Sequence, residues 1–288
     1  MTPATTKRSI DTTIIGAGTL ATALAMALRR SGHRVVEIVA RNNAQSISRA
    51  RKLAKRVDAR VGTLLEAQFN TKATWICVPD DAIFDVAGQI ATRGDWTRKI
   101  AIHSSGALGS EALVPLKTAG AGIASAHPLM TFVRSSKPEL EGVPFALEGD
   151  RNALVTVSMM VRSLGGKPFR IPAELKPAYH LFGFFSSPAL VALIAAAQRV
   201  GELAGFDPGT SRQLMDSIVR QTTDNCLVST PQHAFSGPLR RGDIATLRKH
   251  LEVLKEQPEL LRLYKALTSI ALQYLPVTNH DAVKKLIG

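Results

Sequence analysis

The chain is poor in cysteine, poor in aromatic residues, and without a long unbroken apolar run. Two cysteines in 288 residues exclude a disulfide framework. Cys77, in an expected buried strand, and Cys226, in an expected helix, read as packing residues. The seven histidines, His33, His103, His127, His180, His233, His250 and His280, lack an H-x-x-x-H or similar ligand spacing, so no metal is expected. No uninterrupted apolar stretch reaches the roughly eighteen residues of a membrane span. The richest, Leu181 to Ala197, is broken by Ser186, Ser187 and Pro188. Residues Met1 to Ser9 hold no apolar core and read as a frayed tail, not a signal peptide. The expectations are a cytoplasmic address and no membrane partner.

Acids are outnumbered, 23 against 36 Lys and Arg, for a net charge of +13. That balance invites a nucleic-acid reading. Aromatics are only 5%, however, and no basic-aromatic motif interleaves them. The densest basic stretch, Arg49, Arg51, Lys52, Lys55 and Arg56, shares a helix with Ile47, Ala50, Leu53 and Val57 on its other face. A solvated helix surface accounts for it, so no nucleic-acid partner is expected. A positive field of this size suits an anionic cofactor.

What the chain does have is a glycine turn. Thr12-Thr13-Ile14-Ile15 runs into Gly16-Ala17-Gly18-Thr19-Leu20-Ala21, the pattern G-x-G-x-x-A. Such glycines allow a tight turn and a close backbone approach to a pyrophosphate, which meets free N–H groups at the helix start. Ala21 allows close packing of helix on strand. Leu20, Ala23, Leu24, Ala27 and Leu28 fall at i, i+3, i+4, i+7 and i+8 and form one buried stripe. Gly32 stops the helix, and Val35 to Val39 is a β-branched strand, completing a βαβ unit of about thirty residues. Gly16, Ala17, Gly18, Thr19 and Leu20 are therefore the candidate dinucleotide contacts.

The end of the second strand selects the dinucleotide. An acid there bonds the ribose hydroxyls of NAD. This chain reads Ala40-Arg41-Asn42-Asn43, and a guanidinium fork holds a 2′-phosphate that an acid would repel. Arg41 and Asn42 thus point to NADP rather than NAD. Glu37 lies mid-strand, too early to be the ribose acid.

Strands and helices keep alternating: strand Ala73 to Val78, helix Ala82 to Ala91, strand Lys99 to Ser104, helix Ser110 to Thr118, strand Gly122 to Ala126. Val143 to Leu147 and Lys167 to Ile171, separated by a helix from Asn152 to Leu164, add two edge strands. The expected fold is α/β, a doubly wound parallel Rossmann sheet followed by a separate all-helical domain. Residues 1–172 form the dinucleotide-binding domain and 173–288 the helical substrate or dimerisation domain. Its helices are Glu174 to Leu203, kinked at Pro188, then Pro208 to Val228, Ile244 to Lys255, Pro258 to Leu275 and a short tail helix.

Several blocks together carry a resemblance: Ile14-Ile15-Gly16-Ala17-Gly18; Val78-Pro79-Asp80-Asp81-Ala82-Ile83; His103-Ser104-Ser105-Gly106-Ala107-Leu108-Gly109; His127-Pro128-Leu129; Lys176 with Tyr179-His180; and Ser236-Gly237-Pro238 leading to Arg241-Gly242-Asp243 and His250. Over nearly its whole length the chain resembles bacterial proteins with a Rossmann-like domain and a C-terminal helical domain of unknown function. These belong to the 6-phosphogluconate dehydrogenase-like group, which includes pyrroline-5-carboxylate reductase. The resemblance implies an NAD(P)-dependent oxidoreductase, homodimeric through its helical domain, and names no substrate. One departure is Pro188, where many members carry Asn.

Candidate chemistry sits at strand ends, where a nicotinamide and an acid or base must meet. Val78 and Pro79 end one strand and are expected along the cofactor. Ser104 and Ser105 end the next, where they are expected to orient a carboxylate or the nicotinamide amide. Asp80 and Asp81 read first as a helix N-cap. Lys176 and His180 are four apart and share a helix face. Hydroxyacid dehydrogenases of similar layout have a lysine there as acid or base, with an amide where this chain has His180. Lys176 and His180 are the expected catalytic pair, with Lys176 also able to hold a substrate carboxylate and His103 as an alternative proton donor. His127-Pro128 follows a strand near the cleft in a structural or a functional role. Asp243 reads as the cap of the helix from Ile244.

The reading is an NADP-dependent oxidoreductase moving a hydride between nicotinamide and a small, anionic carbonyl, alcohol or imine substrate. The alternative is a non-catalytic NADP-binding protein or redox sensor. S-adenosylmethionine is disfavoured because Arg41 stands where its ribose acid would be.

Overall fold

The computed structural model describes residues 9–133 and 138–288. The chain forms two compact units, one running to Pro188 and one from Ala189 to Gly288. The first holds an eight-stranded sheet of order β3-β2-β1-β4-β5-β6-β7-β8. Its strands are β1 Asp11–Ile15, β2 Arg34–Ala40, β3 Arg60–Thr63, β4 Ala73–Ile76, β5 Ile100–His103, β6 Gly122–Pro128, β7 Pro144–Gly149 and β8 Lys167–Arg170. The strands from β3 through β6 pair in parallel, and β7 pairs with β6 antiparallel before β8 runs parallel to β7. The expected all-parallel sheet is therefore reversed once. A parallel neighbour requires a crossover of a dozen or more residues, usually helical, and no helix is described between β6 and β7.

Helices α1 Thr19–Arg30, α2 Ala44–Val57, α3 Ile83–Ala91, α4 Val114–Thr118 and α5 Arg151–Ser163 cover the sheet. β4 and β5 are buried at every position, as unbroken apolar runs between helical layers must be. α1 buries the stripe Ala21, Ala23, Leu24, Ala27 and Leu28, and the two core clusters lie on opposite faces of these central strands. β3 was not expected. It is a four-residue edge strand whose pattern is too short to stand out from the loop around it, and pairing with β2 brings it into register.

α6 Lys176–Ser186 belongs with the sheet, so the unit boundary lies at Pro188, past the expected residue 172. Its anchors are Lys176 and Tyr179, described below. The expected kink is a full break: Ser187 leaves helical geometry (φ −137°, ψ −75°) and α7 Pro188–Leu203 begins after it. Counted together, the run Ala173–Leu203 is long and apolar enough to cross a membrane, with mean hydropathy 1.7 and no part of that window buried. The break at Ser187 and the anchoring of its first half in the sheet unit set it apart from a continuous span.

The second unit continues with α8 Pro208–Val228, α9 Pro231–Ala234, α10 Gly237–Arg241, α11 Ile244–Leu254, α12 Pro258–Tyr274 and α13 His280–Ile287. Leu247, Leu254, Ala271 and Val283 supply its buried apolar contacts. Leu190, Val191, Leu214 and Ile218 are exposed. Asp243 caps α11 as expected, accepting from the Thr246 amide and hydroxyl.

Candidate active site

The glycine turn is built as its pattern requires. Gly16 has φ +116°, and a β-carbon there would fall 2.3 Å from the Cys77 carbonyl oxygen. The turn is locked by backbone bonds from the Gly16 amide to Val39 and from the Cys77 amide to Ile15. Gly18 differs: its φ is −80°, and a β-carbon there would meet nothing within 4 Å. Gly16 is required by the protein itself, whereas Gly18 keeps space open. No side chain caps α1, so its first amides remain available to a ligand.

This turn opens on a cavity of about 230 Å³ lined by Gly16, Ala17, Gly18, Arg41, Ser46, Arg49, Cys77, Val78 and Pro79, among others. Thr19 faces an adjoining cavity that shares Ala17, Gly18 and Arg49. Leu20 and Asn42 line neither. Asn43 instead caps α2, accepting from the Ser46 amide. That cap turns α2 so that Ser46 and Arg49, three apart, share the face toward the cavity. Among the described residues no carboxylate lines it and no ion pair engages Arg41 or Arg49. Glu37 is buried toward β3, 3.9 Å from Arg60. Burial raises its carboxyl pKa. Arg49 was not expected at this cavity because its stretch reads as a solvated face; Asn43 as a cap was the available signal.

Past β4 the expected N-cap fails. Asp80 makes no cap bond; its carboxylate accepts from the Ser105 hydroxyl at 2.6 Å. The same hydroxyl oxygen accepts from the Leu108 and Ala107 amides, and Ser104 Oγ accepts from Trp75 Nε1. The Ser105 hydroxyl is thus spent on tying the β4 end to the β5 loop. The His103 ring is spent likewise. Nδ1 accepts from the Ser105 amide and Nε2 donates to the Gly109 carbonyl. Burial holds its pKa down at about 4, with Lys176 adding to the effect and Gly109, Asp80 and Glu111 opposing it. With its Nε2–H given to the Gly109 carbonyl and Nδ1 taken by the Ser105 amide, His103 has no nitrogen left for a substrate, so the expected donor role does not fit it.

Lys176 is fully buried. Its ammonium donates to Ser125 Oγ at 2.7 Å and to the Ser105 carbonyl at 3.1 Å. Burial lowers its pKa, while Glu148, Glu111 and Asp80 oppose that. The expected pair therefore divides. Four residues of helix rise about 6 Å and two residues of strand about 6.6 Å, so Lys176 and His180 on α6 match Ser125 and His127 on β6. Lys176 meets Ser125 inside, and His180 stands beside His127 with ring centroids 6.5 Å apart.

His127 is the group whose importance the linear pattern left undecided. Nδ1 lies 2.8 Å from the Tyr179 hydroxyl, with the rings edge to face. Burial pushes the Tyr179 pKa up to about 12, so the phenol keeps its proton and donates it to Nδ1; the imidazole proton then sits on Nε2. Burial first, then Lys176, His180 and His103, lower the His127 pKa to about 4, against Asp80. Gly106 lies beneath both rings. A β-carbon there would fall 2.9 Å from His127 Nε2 and 2.8 Å from His180 Cδ2. His127 and His180 line one end of a cavity of about 670 Å³.

Residues 3–128 match the family model of the Rossmann-like domain, and residues 143–270 match that of the domain of unknown function DUF2520. No curated protein matches the chain by sequence. Among solved structures, a candidate NADP oxidoreductase of Bacteroides fragilis superposes with TM-score 0.76 at 22% identity, covering 92% of this chain and 98% of that one. A Thermotoga maritima protein gives 0.71 at 25% identity, covering 95% and 98%. The Aspergillus terreus reductive aminase, in complex with NADPH and ethyl-5-oxohexanoate, gives 0.67 at 15% identity, covering 98% and 100%.

Proposed function

We propose that this chain, a Rossmann-like domain followed by a DUF2520 domain, is an NADP-dependent oxidoreductase acting on a carbonyl, alcohol or imine. The observation that carries the reading is the open glycine turn, whose cavity is flanked by Arg41, Ser46 and Arg49 and holds no carboxylate among its described lining residues. Those residues fit a phosphorylated dinucleotide: uncapped amides for the diphosphate and guanidinium groups for the 2′-phosphate. The Aspergillus terreus enzyme, seen with NADPH, supports the same cofactor here.

When bound, the cofactor supplies the hydride that adds to the carbonyl or imine carbon. The chain's part is to polarise that bond. As the π pair moves to oxygen or nitrogen, that atom needs a donor within about 3 Å. In this reading His127 Nε2–H, oriented by Tyr179, hydrogen-bonds to the reacting atom and polarises it while keeping its proton, and water at the open end of the cavity, beside the exposed His180, supplies the proton that completes the alcohol or amine. Lys176 is a positioning residue that joins α6 to the β5 and β6 ends. The exposed apolar residues Leu190, Val191, Leu214 and Ile218 support a homodimer through the helical unit, which sedimentation tests.

Calorimetric titration of the purified chain with NADPH and NADH tests the cofactor, with NADPH expected to bind more tightly. Equal affinities would remove the NADP assignment. NADPH binding without oxidation across a panel of ketones, keto acids and cyclic imines would favour a sensor.

A further inference from the structure

Among its described lining residues, the cavity beside His127 offers no Lys or Arg to pair with an anion. Its walls are Leu129, Met130, Phe132, Phe182, Phe184 and Pro188, with Thr131, Ser186 and Ser187 as neutral polar groups. Among the described residues that line it there is no Lys, Arg, Asp or Glu, and the titratable groups are His127 and His180 at one end. About 670 Å³ is the size of a small-molecule site. The nearest cation along α6 is Lys176, and it is sealed beneath the floor, donating to Ser125 and Ser105.

We infer that this cavity takes an uncharged, largely apolar ketone or imine and discriminates against keto acids, an inference that rests on the oxidoreductase reading. A carboxylate entering it loses hydration and gains no cation from the described lining residues, so its charge is left unpaired in apolar surroundings. A neutral carbonyl requires one donor, which Nε2–H of His127 supplies, while the remaining substituents bury against phenylalanine and leucine surface. The anionic substrate expected from a lysine on this helix face gives way because that lysine is used for the fold.

Benzylacetone and benzylpyruvate test this, since they differ in a methyl against a carboxylate on the same carbonyl. Calorimetry of the full chain, with and without NADPH, is expected to show benzylacetone bound at least about tenfold more tightly. The imidazole resonances of His127 and His180 are expected to shift with it. Phe184→Ser, on an exposed side chain, weakens benzylacetone about fivefold by removing apolar contact. Thr131→Lys, which adds a cation to the described lining, brings benzylpyruvate to within about twofold. Equal or tighter binding of benzylpyruvate by the unaltered chain overturns the inference. So does a failure of benzylacetone to bind, or binding that leaves both imidazoles unmoved. Benzylacetone binding without NADPH oxidation by any ketone counts against the oxidoreductase reading and leaves the preference standing. Oxidation confined to keto acids does the reverse.

Discussion

Tyr179 fixes the protonation pattern of His127: its phenol is 2.8 Å from Nδ1, and the two rings pack edge to face at 5.6 Å. One residue on α6 thereby decides which nitrogen of a β6 residue carries the proton. Tyr179→Phe retains the ring and removes the bond. The expected result is a fall in kcat of roughly tenfold with KM little changed, since a second partner that orients a catalytic histidine contributes about that much. Nitrogen-15 shifts of His127 should move toward a mixture of tautomers. Unchanged shifts and unchanged kcat would mean that the bond is structural only.

His103 and His127 should stay neutral far below the usual imidazole range. Both are held at about 4 by burial, aided by Lys176, with Asp80 opposing; Glu111 also opposes at His103, and His180 and His103 add to the effect at His127. Because their folded pKa values are depressed, the unfolded chain binds more protons between pH 6.5 and about 4. Their contribution is complete above pH 6.5 and is lost as pH falls toward 4, up to about 3 kcal/mol for each. Urea unfolding across that range, with imidazole proton resonances followed in parallel, checks both the slope and its source.

Lys176→Met removes the ammonium that joins Ser125 to the Ser105 carbonyl. The expected loss of stability is about 1–3 kcal/mol, the range for leaving buried acceptors short of a donor. The His127 pKa should rise, because Lys176 is one of the charges that depress it. Wild-type stability with complete loss of turnover would instead make Lys176 a catalytic residue.

Gly16→Ala and Gly18→Ala should separate fold from ligand. The first forces a β-carbon against the Cys77 carbonyl at positive φ and is expected to destabilise the sheet unit by about 3 kcal/mol or more. The second meets nothing within 4 Å, so its melting temperature should stay close to wild type while NADPH affinity falls about tenfold through lost backbone approach. Similar effects of the two on both measurements would contradict this division.

Arg41 and Arg49 line the same cavity from β2 and α2. Arg41→Asp is expected to reverse the preference from NADPH to NADH. Arg49→Ala should weaken NADPH about fivefold, a charge-assisted bond to phosphate, and leave NADH nearly unaffected. Calorimetric dissociation constants for both coenzymes, in one buffer, test the pair.

Much of the fold could be read along the chain because its signals are local. G-x-G-x-x-A with an apolar stripe after it specifies strand, turn and helix within one stretch, and α1, β2, β4, β5 and β6 fall close to the expected positions. β3 and the reversal at β7 escaped because each is settled by a neighbouring strand, not by its own residues. The division at Pro188, where the sequence suggests residue 172, has a related reason: α6 reads as the start of a helical domain, and its Lys176 reaches into the sheet.

At the candidate site the same line divides what was legible. The residue types were visible: two histidines, a lysine four positions before one of them, serines after a strand. Their duties were not, since those of Ser105, His127 and Lys176 depend on hydrogen-bond partners 25 to 71 positions away, from Asp80 with Ser105 to Lys176 with the Ser105 carbonyl. Spacing along one helix brought Lys176 and His180 to a common face, and that much followed from order alone. Which of them would be buried was decided when α6 docked at the ends of β5 and β6, while His103 loses both nitrogens to its own loop and His127 loses only Nδ1, to Tyr179. Burial removes water from one end of that face and leaves it at the other, and only packing determines which end.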